Sequence, residues 1–73
     1  MKLPQISGKD VIKKLHKNGF IAVRQKGSHV ILEKRAADGT IKITVPMHST
    51  LKKGTLLRII KDAELTKDEF YKL

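Results

Sequence analysis

Lys26-Gly27-Ser28-His29 places an ammonium, a hydroxyl and an imidazole within four consecutive residues. An imidazole titrates near neutrality, so it can take a proton where most side chains cannot. Gly27 and Ser28 beside it offer backbone and hydroxyl donors to an anion. On residue types alone His29 has two readings: a general base, or a surface histidine that opens a strand. Two other histidines are present. His48 follows Pro46-Met47 and reads as a loop residue or a phosphate contact ahead of a catalyst. His16 falls inside a helical stretch and is expected at the surface. The separations of the three match no zinc-site spacing, and no carboxylate pair accompanies them, so no metal site is expected. Paired carboxylates for glycoside chemistry are absent as well. The chain has no cysteine, which removes thiolate nucleophiles, thiolate metal sites and disulfides together.

Charge is the second chemical signal. The 73 residues carry 16 Lys plus Arg against 7 Asp plus Glu, a net of +9. Residues 1–61 hold 14 basic and 3 acidic side chains, a net of +11, so the basic character lies in the body of the chain. Lys9, Lys13 and Lys17 recur at every fourth residue, with Lys14 beside them. Like charges at that spacing repel along a helix. The row is either a phosphate-facing stripe or an ordinary solvated face. Lys52, Lys53 and Thr55 form a second cluster where a helix is expected to start, and free N–H groups there favour an anion. Arg24 and Lys26 form a third. Such a body calls for a polyanionic partner: nucleic acid first, an acidic protein second, an anionic membrane last. Phe20, Phe70 and Tyr71 are the only aromatics, and none lies in a basic strand. Contacts through backbone and shape therefore fit better than base stacking.

These groups need a scaffold, and the length allows one domain, residues 1–73, too small to enclose a cofactor. No cofactor is expected. No apolar run is long enough to span a membrane and no signal peptide stands behind Lys2, so a cytoplasmic protein is expected. Ser7 reads as an N-cap with Asp10 at the third helical position, and Val11, Ile12 and Leu15 form one stripe. This predicts a helix over residues 8–18, closed by Gly19. Phe20–Gln25 and Val30–Arg35 read as strands. Ala37-Asp38-Gly39 reads as a hairpin turn, and Thr40–Val45 as a strand with Ile41, Ile43 and Val45 on its buried side. Parity along the second strand sets Val30 and Leu32 against His29, Ile31, Glu33 and Arg35. Pro46 should close the third strand. After a loop over 47–53, a second helix starts near Gly54-Thr55 and carries Leu56, Leu57, Ile59, Ile60 and Ala63 inward. Thr66 with Glu69 is a capping box for a short last helix. The expected class is α+β, in the order α-β-β-β-α, with a three-stranded antiparallel sheet and the helices on one face.

The segments also resemble a known family in their sequence and order. Arg24-Gln25-Lys26-Gly27-Ser28-His29-Val30 is similar to the Gly-Ser-His signature of HicA-type mRNA interferase toxins. Leu3-Pro4-Gln5-Ile6-Ser7-Gly8, Asn18-Gly19-Phe20, Thr44-Val45-Pro46-Met47-His48 and Lys53-Gly54-Thr55-Leu56 follow the same pattern. Ala36 and Ala37 depart from it in the hairpin, away from the signature. The resemblance implies a fold like that of double-stranded-RNA-binding domains. It also implies cleavage of mRNA without a metal, a HicB-type antitoxin as partner, and a catalytic role for His29. Arg24, Lys26, Gly27, Ser28, His48, Lys52, Lys53 and Thr55, with the Lys9, Lys13 and Lys17 row, would then hold the RNA. Two rival readings remain from the residues alone: a non-catalytic RNA-binding module of the same fold, and a basic protein shaped for an acidic partner.

Overall fold

The computed structural model describes residues 5–73. Leu3 and Pro4 of the resembling N-terminal segment lie outside them. The elements run α1 (Gly8–Lys17), β1 (Ile21–Lys26), β2 (His29–Ala36), β3 (Gly39–Pro46), α2 (Lys53–Asp62) and α3 (Lys67–Tyr71). The strands form one antiparallel sheet in the order β1-β2-β3. The expected α+β class, element order and sheet hold, and they are consistent with a double-stranded-RNA-binding-domain-like fold.

Local chemistry explains the boundaries. The Ser7 hydroxyl accepts from the Asp10 amide at 3.1 Å and starts α1. Gly19, at φ +96°, turns the chain out of α1 in a conformation that penalises a Cβ. Val11 and Leu15 bury the α1 stripe, with Ile12 packed at its margin. Thr66 and Glu69 form the reciprocal capping box that starts α3. The alternation in β2 and β3 buries Val30, Leu32, Ile43 and Val45 against the helices. Phe20, Leu56, Ile59, Ile60 and Phe70 complete one core. No helix among the described residues is long and apolar enough to cross a membrane.

Several boundaries differ from the sequence expectation. Phe20 precedes β1 and is a fully buried core residue. Pro46 is the last residue of β3, at the edge of the sheet where its missing N–H costs no ladder bond. Helix α2 begins at Lys53, and Leu57 is only half-buried because it lies on the flank of the inward stripe. Strand β1 runs Ile21–Lys26 where the sequence predicts Phe20–Gln25. All six of its residues are exposed, and its register with β2 shifts between Ala22 and Arg24.

Candidate functional site

That register shift decides which side chains share a face with His29. Strict alternation from Ile21 would set residues 21, 23 and 25 on one side of the sheet. Ile21 pairs with Glu33 and Ala22 with Leu32, but Arg24 then pairs with Ile31, Gln25 with Val30 and Lys26 with His29. Val23 is the extra residue of a bulge, which resets the phase of the strand. Because Val30 and Leu32 are buried, their partners belong to the helix-covered side. Arg24 and Lys26 therefore come to the open side with His29. The sequence reading grouped these three residues by proximity along the chain. It missed the bulge, for which no residue type gave a signal.

His29 is exposed at the first position of β2, with Lys26 opposite it on one side and Pro46 on the other. Gly27 turns the chain between β1 and β2 at φ +60°, a left-handed conformation suited to glycine. Beyond Pro46 the ladder continues for one bond, as the Met47 amide donates to the Ser28 carbonyl at 2.6 Å. The His48 carbonyl then accepts from the Gly8 amide at 2.9 Å, and the Ile6 carbonyl accepts from the Leu51 amide at 2.9 Å. Gly8 can approach this closely only because it has no side chain. A Cβ there would lie 2.0 Å from the Pro46 carbonyl oxygen.

These bonds tie four segments together at one end of the sheet. The β1–β2 turn, the exit of β3, the start of α1 and the loop leading into α2 all meet there. Lys53 follows Leu51 by two residues, so α2 also starts at this end. Two helix N-termini bring positive dipole ends to it. The Lys52 cap makes no side-chain bond to α2, which leaves the first amides of that helix to other acceptors. His48, Lys52 and Lys53 are exposed and Thr55 is half-buried. The arrangement can hold an anion and present a base to it.

The α1 row divides. Lys9, Lys13 and Lys17 are exposed and run about 12 Å along the helix axis, starting at the His29 end. Lys14 leaves the row. Its Nζ donates to the Leu73 carbonyl at 3.1 Å and the Tyr71 carbonyl at 3.4 Å, and it lies 5.7 Å from the Phe70 ring centroid. Lys14 thus secures the C-terminal segment to α1. His16 is exposed, and its Nδ1 lies 3.2 Å from the Phe20 carbonyl, so it supports the α1–β1 connection.

No curated protein matches the chain. A protein-family model described as the HicA toxin of bacterial toxin–antitoxin systems matches residues 8–65, the span that includes His29, the β1–β2 turn and both long helices.

Proposed function

The chain belongs to the HicA toxin family of bacterial toxin–antitoxin systems, and from that premise we propose that it is an endoribonuclease that cleaves mRNA with His29 as general base. Family membership implies pairing with a HicB-type antitoxin. The observation that carries the catalytic reading is the placement of His29. It is exposed, unburdened by packing, and opposite Lys26 on a face that also carries Arg24.

In the proposed step the ribose 2′-hydroxyl gives its proton to the His29 imidazole, and its oxygen attacks the adjacent phosphorus. The bond from phosphorus to the 5′-oxygen breaks, leaving a 2′,3′-cyclic phosphate. The leaving oxygen takes a proton from His48 or Lys26. Lys26, the Ser28 hydroxyl or backbone, and the Lys52–Lys53 start of α2 hold the phosphate. Donors aimed at charge that develops in the transition state contribute most to rate. Neither a metal nor a cofactor enters this step. Flanking RNA lies along Arg24, Gly27, Thr55 and the Lys9, Lys13 and Lys17 row. The site of action is the cytoplasm, where mRNA and antitoxin meet.

His29→Ala tests the reading on one sample measured three ways. Melting should change within about 0.5 kcal/mol, because the side chain is exposed. RNA affinity at fixed salt should persist. Single-turnover cleavage should fall roughly 10²–10⁴-fold, the usual contribution of a positioned base. A folded variant that cleaves at the wild-type rate overturns the assignment. A wild-type protein that binds RNA in a salt-dependent way without cutting it would be a binding module instead.

A further inference from the structure

Ile21 and Val23 are the most exposed large hydrophobic residues among those described, at 61% and 52%. They lie together at the start of β1 and line one shallow groove with Glu33, Lys34, Arg35 and Thr40. Single exposed aliphatic residues are ordinary, but such a pair in a groove edged by the exposed Arg35, with Glu33 already paired to Lys42 at 3.6 Å, is a surface with a composition of its own. Ile21 pairs with Glu33, four residues along β2 from His29. That spacing puts it about 13 Å from the histidine, on the same open side of the sheet.

We propose that this groove is the docking anchor of the antitoxin. The proposal rests on the toxin reading above and adds where the neutralising protein grips. RNA is the poorer occupant, because bases need an aromatic platform and the groove has none. A second copy of the chain is also poorer, since each carries +9 and would repel the other. An acidic protein with small apolar side chains satisfies both parts of the groove: aliphatic contact on Ile21 and Val23, and a carboxylate toward Arg35. The Val23 bulge blunts β1 as a template for an added strand, so the contact is made through the face rather than the edge. An interface of ordinary size covers about 800 Å² on each partner. A protein gripping this groove reaches His29 without being centred on it.

The test uses Ile21→Thr with Val23→Thr, which keep β-branched side chains in the strand and remove apolar surface. Val23→Thr alone serves as a near-isosteric second variant. Each is compared with wild type by melting, RNA cleavage rate, sedimentation, and affinity for the antitoxin encoded with the toxin. The expected result is an unchanged cleavage rate with antitoxin affinity roughly 10–100-fold weaker in the double variant. In cells, co-expressed antitoxin should then fail to restore growth. Wild-type affinity in a folded variant overturns the anchor. So does lost cleavage with an intact fold, which would give the groove to RNA, or a wild-type dimer that the substitutions dissolve. If the wild-type protein fails to cleave RNA, the ribonuclease reading falls, while the affinity comparison still decides the anchor.

Discussion

Two neighbouring lysines on α1 have unlike occupations, although the sequence makes them look alike. Lys13 is exposed within the row, whereas Lys14 spends its ammonium on the Tyr71 and Leu73 carbonyls. Lys14→Ala should lower stability by about 1.5 kcal/mol, at the low end for hydrogen bonds from a charged donor because the site is half-buried. It should leave the salt dependence of RNA binding unchanged. Lys13→Ala should do the reverse, and melting curves with a salt titration on both variants separate them. Residue types single out His29 as a candidate base, because an imidazole after Gly-Ser in a basic chain has few equivalents in this sequence, while leaving a surface histidine as the other reading. They could not announce Lys14. Its role depends on a carbonyl 59 positions away in the chain, which only packing reveals.

At the scale of elements, local signals were the most legible. Ser7, Gly19 and the Thr66–Glu69 pair act through bonds or dihedrals a few residues long, and all three fall where the sequence puts them. The bulge in β1 was not legible, since it is settled by pairing with β2. It nonetheless determines that Arg24 and Lys26 join His29. The small helix α3 is the element most dependent on its cap. Thr66→Ala should cost about 1 kcal/mol. Its partner adds a pH dependence: the Thr66 backbone N–H, and secondly its hydroxyl, hold the Glu69 carboxyl below its ordinary value. A folded pKa below the unfolded one gives stability that is present above the unfolded value and lost as pH falls through the folded value. Acid should therefore loosen α3, and Glu69→Gln should remove that part of the pH response. Hydrogen exchange of the Phe70–Lys72 amides across the acid range checks both statements.

At the scale of the whole molecule, the exposed lysine row predicts how RNA affinity responds to ions. Each phosphate contact contributes about −0.7 to −0.9 to the slope of log affinity against log salt. Changing Lys9, Lys13 and Lys17 together to Gln should flatten the slope by about two units if all three engage single-stranded RNA, with melting unchanged. An unaltered slope would make the row a solvated face. Net charge was fully legible in the sequence, but its geometry was not. The two helix starts, the β1–β2 turn and the exit of β3 gather at one end because Gly8 allows α1 to seat against Pro46. Helix α2 carries the chain about 15 Å away from that end before Asp62 and Glu64 appear. The starts of α1 and α2 and the ammoniums of Lys9, Lys26, Lys52 and Lys53 therefore share one end of the molecule. In the field of a polyanion that end is drawn more strongly than the end of α2, so the protein experiences a torque as well as a pull and turns during approach.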